Sequence, residues 1–390
     1  MVGQLLRNKL ASMALAVLAL VPSVGAKDKN PANPADCAPI PQERTIEIDI
    51  AHPFDSFDSR ANFNYSANEL AGKGLDYLGK NGLDKESFGR AAKTASEAYA
   101  AYLFSYITHE AGHDGADTEF LPELRPGTLT PKVKNLDLPL TSSLEKSAHF
   151  SRGVNQNTFN AETILENAVL NNAAPGVSFP MNSLYTSFYH PNEATRETGQ
   201  TTDDLEAYSE ALNERGFKTS KRKIQKNALI ANVLTLQNWK SIYDAFRFIG
   251  NGQRADAPLT FQIRDIEFTS PAIFCYLGET GNFYNTASFI NPKSENPILV
   301  SAGIEQDAVR FGGKVHDIST PLFNLTVSPS AYVNFGKEEQ PGLSLGIDLN
   351  YKLNENSSLK LALQQNERDL MSKIKETNGF SARAEFAYRF

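Results

Sequence analysis

Residues 343–353 read Leu-Ser-Leu-Gly-Ile-Asp-Leu-Asn-Tyr-Lys-Leu. Successive side chains of an extended strand point to opposite faces. Leu343, Leu345, Ile347, Leu349, Tyr351 and Leu353 therefore share one face, and Ser344, Gly346, Asp348, Asn350 and Lys352 the other. Leu359, Leu361 and Leu363 resume the pattern after a short connection, 354–358. Further along, 380–390 sets Phe380, Ala382, Ala384, Phe386, Tyr388 and Phe390 against Ser381, Arg383, Glu385, Ala387 and Arg389. Weaker alternation over 259–268, 281–290, 297–304, 308–316 and 323–335 extends this to an antiparallel β-meander over 258–390. That predicts eight strands, or nine to ten if Thr45–Ile50 (TIEIDI) adds one at the N-terminal side.

The apolar faces of 343–353 and 380–390 carry no charge, and eleven residues is close to the ~9–11 of a tilted membrane strand. Tyr351, Tyr388 and Phe390 lie at strand ends, where interfacial aromatics belong. The connection 366–379 is long and charged and 354–358 is short, the asymmetry of outer loops and periplasmic turns. A water-soluble sheet with one buried face alternates in the same way, and Pro329 is awkward in a barrel without edge strands. The terminal strand ending on Phe390 resembles the closing strand of Gram-negative outer-membrane barrels. The resemblance implies a β-barrel of about 8–10 strands, outer-membrane lipid as partner and the cell outer membrane as location, the periplasm being the alternative.

Residues 1–26 fit a secretory signal peptide: Arg7 and Lys9, the apolar run 11–21, then Ser23-Val24-Gly25-Ala26. Beyond it no stretch reaches 18 apolar residues, and mean hydropathy is −0.36, which excludes a helical membrane protein. A net charge of −7 argues against nucleic acid as main partner. Cys37 and Cys275 could form one disulfide in an oxidising compartment. Residues 27–44 read as a linker and 45–67 as an N-terminal strand region, followed by a Gly-rich stretch, 72–82.

The middle, 68–257, is predicted to be helical, making the whole α+β. Helices are expected from Glu86 to about His113, over 158–171 with Asn157 or Thr158 as N-cap, from the Thr202-Asp203-Asp204 cap to Gly216, and over 220–249 ended by Gly250. Lys218, Lys221, Arg222, Lys223 and Lys226 form a basic cluster that suits a solvated face or anionic headgroups.

Chemistry concentrates in His109-Glu110-Ala111-Gly112-His113, an HExxH match. On a helix, residues four apart share a face, so both imidazoles can reach one ion, with Glu110 beside it to take a proton from water. Ala98, Tyr99, Tyr102, Leu103, Tyr106 and Ile107 recur upstream at helical spacing, as on a buried helix. The motif resembles the zincin metallopeptidases. That resemblance implies Zn2+, with His109 and His113 as ligands and Glu110 as general base. The metzincin continuation fails, since Ala116 stands at its Gly position and Glu119 at its third-ligand position. Glu162, with Glu166 four residues on, is similar to the gluzincin third-ligand pattern and is preferred to Glu119. The expectation is a zinc-dependent hydrolase, foremost a peptidase, at the outer membrane. The alternatives are a non-enzymatic barrel, channel or anchor, with a helical plug or periplasmic domain, and a soluble periplasmic metallopeptidase.

Overall fold

Strand alternation and helix caps are realised in one interleaved α+β unit, residues 44–390, in the computed structural model. The structure describes residues 45–49, 57–80, 83–114, 142–188, 203–254, 257–306, 308–320, 324–336, 341–354, 357–367, 371 and 379–389. Residues 1–26, expected to be a signal peptide, lie outside the described residues, as do Cys37, Glu119 and Phe390. Among the described residues seven helices follow one another: α1 (Phe57–Lys80), α2 (Ser87–Asp114), α3 (Ser143–Leu170), α4 (Ser178–Ser183), α5 (Asp204–Glu214), α6 (Lys221–Leu234) and α7 (Leu236–Asn251). The strands are β1 (Thr45–Asp49), β2 (Thr260–Ile263), β3 (Ile266–Thr269), β4 (Ala272–Leu277), β5 (Asn282–Ile290) and β6 (Ile298–Glu305). They continue with β7 (Ala308–Val315), β8 (Ile318–Ser319), β9 (Leu325–Phe335), β10 (Gly342–Lys352), β11 (Ser357–Glu367) and β12 (Gly379–Arg389).

All twelve belong to one antiparallel sheet, ordered β1-β12-β11-β10-β9-β7-β6-β5-β3-β2, with β4 on β5 and β8 on β9. The expected eight to ten strands become twelve because 259–268 splits at a turn and β4 and β8 are additional. Among the described residues the sheet is open, its path ending at β1 and β2, so closure into a barrel is not shown. Pro329 is accommodated without loss. It pairs with Ile347 on the β10 side, while β7 pairing stops at Ser330 and β8 pairing begins at Val327. A residue without an N–H fits that gap.

Over β10–β12 the two faces are covered in the opposite sense to a sheet that buries its apolar face. Leu343, Leu345, Ile347, Tyr351, Leu359, Leu361, Phe380 and Phe386 are exposed, Leu345 at 48% and Phe380 at 69%. Over β10–β12 the polar face is the covered one, whereas over β4–β6 the helices cover apolar residues, among them Phe274, Tyr276, Phe283 and Phe289. Arg383 pairs with Asp58 of α1 at 2.8 Å, Asn62 of α1 donates to Glu385 at 2.8 Å, and Lys314 bridges Glu166 of α3 at 3.3 Å and Asp348 at 2.8 Å.

Helix α3 runs through the middle of the helical layer and is buried on every side from Gly153 to Ala161. It begins at a capping box of Ser142 and Glu145, well before the expected 158–171. Asn157 and Thr158 are not caps; they are interior residues bonded to other elements. The Gly-rich 72–82 stretch is largely helical within α1, which also runs through the 67/68 boundary. The expected 220–249 helix breaks at Thr235 and ends at Gly252 in the left-handed region, φ 76°, rather than at Gly250. Cys275 is a buried thiol beside Asn282, and Cys37, with which it could pair, lies outside the described residues.

Candidate metal centre

Helix α2 carries the HExxH residues at its C-terminal end. Its buried stripe is Ala101, Ser105, Thr108 and Gly112, spaced at helical intervals. The aromatic stripe expected to be buried is instead only partly so, with Tyr99 exposed. Small residues on the inner face let α3 approach closely. A Cβ added to Gly112 would stand 3.1 Å from Arg152 O and from Gly153 Cα. One added to Gly153 would stand 2.3 Å from His113 Nε2 and 2.9 Å from His109 Cε1. The crossing therefore sets the α3 backbone directly against both imidazoles.

The same crossing fixes their tautomers. His109 Nδ1 lies 2.8 Å from Asn157 Oδ1, while Asn157 Nδ2 donates to Ser105 O at 3.2 Å. With the amide oriented that way, Oδ1 accepts and His109 Nδ1 holds the hydrogen. His113 Nδ1 lies 3.0 Å from His149 O, a carbonyl that can only accept. Both Nε2 atoms consequently point away from their partners and toward each other, 3.3 Å apart. Asp204, the first residue of α5, places Oδ2 at 3.0 Å from His109 Nε2 and 3.1 Å from His113 Nε2. It is free to do so because Asp203, not Thr202, caps the helix, accepting from Glu206 N and pairing with Lys221.

Two imidazole Nε2 atoms facing one carboxylate oxygen need a cation between them, a proton or a metal ion. Burial works against charge on His113, but the Asp204 carboxylate outweighs it and raises His113 to about 9. Burial also opposes charge on Asp204, yet the two histidines hold it well below the ordinary carboxylate range. His149, its ring tilted against that of His113 at 5.2 Å, is pushed down to about 4 by burial and by the charge of His113.

Among the described residues, His109, His113 and Asp204 are the group that could hold a metal ion, their ligand atoms within 4.8 Å of one another. Ligands of a tetrahedral ion at about 2.0–2.1 Å stand roughly 3.3 Å apart. The three edges here, 3.0, 3.1 and 3.3 Å, are near that value. Hydrogen bonds from both Nδ1–H groups to an amide and a carbonyl oxygen are what metal-ligating histidines ordinarily make.

Of the expected residues, the structure brings His109 and His113 together and sets Glu110 beside them. Glu110 is half-buried, and its charge acts on His113 and on Tyr185, whose ring is 5.1 Å from that of His109. Glu162 is not in the group. Its carboxylate takes hydrogen bonds from Tyr276 O–H and, at 3.0 Å, from Asn285 Nδ2, on the sheet side of α3. The reason is helical phase: Asn157 faces His109, and five residues further on the side chain has turned about 140° away. Glu166 is likewise engaged with Lys314. The third member of the group, and its one carboxylate, is Asp204, which the sequence marked only as a helix-start acid. Comparison with protein-family models, curated proteins and solved structures finds no match for this chain.

Proposed function

We propose that the protein is a zinc-dependent hydrolase acting on peptide bonds, with its helical layer seated against the inner face of an outer-membrane β-barrel. The observation that carries the enzymatic part is the convergence of His109 Nε2, His113 Nε2 and Asp204 Oδ2 in a buried group whose outer nitrogens are already satisfied. Zinc suits two imidazoles and one carboxylate, and when bound it supplies a Lewis acid that makes hydroxide available near neutral pH. Asn157 and the His149 carbonyl hold the imidazoles in the tautomer that offers Nε2. Glu110, partly open to solvent at the edge of the group, accepts the proton from the attacking water and passes it to the leaving amine.

The membrane part is supported by the apolar outer face of β10–β12 and its ion-paired inner face, the arrangement that lipid outside and polar lumen inside would select. That same packing favours a second reading, a non-enzymatic barrel whose helices act as a plug, in which a proton rather than zinc joins His113 to Asp204.

Metal analysis of the purified full chain separates the two. Stoichiometric zinc is expected in the wild type and in Glu162→Ala, and little in His113→Ala or Asp204→Ala. Glu110→Gln should retain zinc while hydrolysis of a peptide library falls by about 10²–10⁴-fold. A wild type that takes up no divalent metal from metal-replete medium would leave the plugged barrel.

A further inference from the structure

Helices α6 and α7 each use only one face to join the fold. Ile224, Ala228 and Ala231 of α6 are buried, the two alanines against Cys275 of β4. Phe248 of α7 is buried beneath Lys93 and Arg254. The opposite faces hold Leu229, Ile230 and Val233 on α6, then Trp239, Tyr243 and Phe246 on α7, all exposed, the last three at 52%, 61% and 68%. The two stripes are continuous, because Trp239 Nε1 donates to Val233 O at 2.9 Å across the break at Thr235. Arg222, Lys223 and Lys226 are exposed toward the start of α6, and Lys226 is one turn before Leu229 and Ile230. From 218 to 254 every formal charge except Asp244 is positive, in a chain of net charge −7.

We infer that the α6–α7 stripe lies on an anionic lipid surface, with Arg222, Lys223 and Lys226 against headgroup phosphates and Trp239, Tyr243 and Phe246 at the boundary with the acyl chains. A helix face that joins large apolar side chains to a basic flank is the composition of an interfacial helix. Trp and Tyr favour that depth because one end of each ring is apolar and the other wet. Charge decides against a second copy of the chain as the occupant. A two-fold contact is self-complementary, so it would set this positive flank close to its own copy. The inference is independent of the metal centre, and it concerns helices rather than the apolar face of the sheet.

Trp239 is the single tryptophan of the chain and so reports on this stripe alone. The full-length protein is mixed with vesicles of phosphatidylcholine, or of phosphatidylcholine with phosphatidylglycerol, each with and without acyl-chain bromine. A blue shift of Trp239 emission and bromine quenching are expected in the phosphatidylglycerol vesicles. Replacing Arg222, Lys223 and Lys226 together by Gln should weaken that response by about 100-fold, given the usual contribution of each basic residue near an anionic surface. Tyr243→Ser with Phe246→Ser should abolish quenching while helix content, read by circular dichroism, is unchanged. Emission that neither shifts nor is quenched in phosphatidylglycerol vesicles overturns the inference. So does a lipid-free shift that grows with protein concentration, which would assign the stripe to a second copy.

Discussion

Gly153 occupies the point of closest approach between α3 and the two histidines, and no side chain can be added there without moving them. Its Cβ would stand 2.3 Å from His113 Nε2, well inside van der Waals contact. Gly153→Ala should therefore separate the ligand atoms, and titration with zinc should show affinity reduced by at least the roughly 10–100-fold that disturbed ligand support causes. Asn157→Leu should fall in the same 10–100-fold range by freeing the His109 ring, without the steric push. The charge state of His113 gives a separate reading on metal-stripped protein. A histidine raised above its ordinary value to about 9 contributes stability that is complete below about 6.5 and is lost as pH rises through about 9. Denaturation of the metal-free chain should accordingly become easier between those limits, and Asp204→Asn should remove that part of the pH dependence. At this scale the sequence disclosed His109, His113 and Glu110, because a helix fixes residues four apart from local geometry alone. It did not disclose Asp204, which is brought in from 91 residues beyond His113 by tertiary packing. The one local hint was two adjacent acids where a helix start requires one.

Strands were more legible than helices, and the reason lies in what each buries. Strands β10 and β12 have strict alternation and were located to within one residue, since their two faces meet different surroundings along the whole length. Helix α3 shows its apolar stripe only in its C-terminal half, Phe159, Ile164, Leu165, Ala168 and Val169, the half expected to be helical. Its buried middle is Asn155, Gln156, Asn157, Thr158 and Asn160, residues that in sequence suggest a loop and a cap. Each has a partner on another element: Arg60 of α1 donates to Gln156 at 2.8 Å, Thr158 donates to Cys275 O at 3.2 Å, and Asn160 donates to Thr108 Oγ1 of α2 at 2.8 Å. Asn155 bonds both backbone groups of Leu277 in β4, accepting from its N–H at 2.6 Å and donating to its C=O at 2.9 Å. Asn155→Ala would strip partners from two buried backbone groups, each loss costing about 1–3 kcal/mol. The expected result is a lowered denaturation midpoint with zinc content retained, since the α2–α3 crossing at Gly112 and Gly153 is untouched. A drop in zinc equal to that of His113→Ala would show instead that the β4 attachment positions the metal centre.

For the molecule as a whole, the surroundings of the sheet decide what kind of protein this is. Lys314, Asp348 and Arg383 of β7, β10 and β12 are ion-paired with α1 and α3 or with each other, so these charges of the covered face are balanced. The uncovered face over β10–β12 is leucine, isoleucine, phenylalanine and alanine with Tyr351, an exposed apolar surface of the kind that lipid or a partner covers. Ile347 lies at the middle of β10, paired with Leu363 and Pro329, and points outward. If lipid covers this face, Ile347→Lys places a charge near the bilayer midplane at a cost of about 2–4 kcal/mol. The amount of protein assembled in the membrane fraction should then fall, while Ile347→Phe should leave it unchanged. If water covers the face, the sign reverses: lysine at an exposed strand position should be neutral or should improve solubility. The same substitution thus gives opposite outcomes in the two solvents, and membrane fractionation of Ile347→Lys beside Ile347→Phe reads which one the sheet meets.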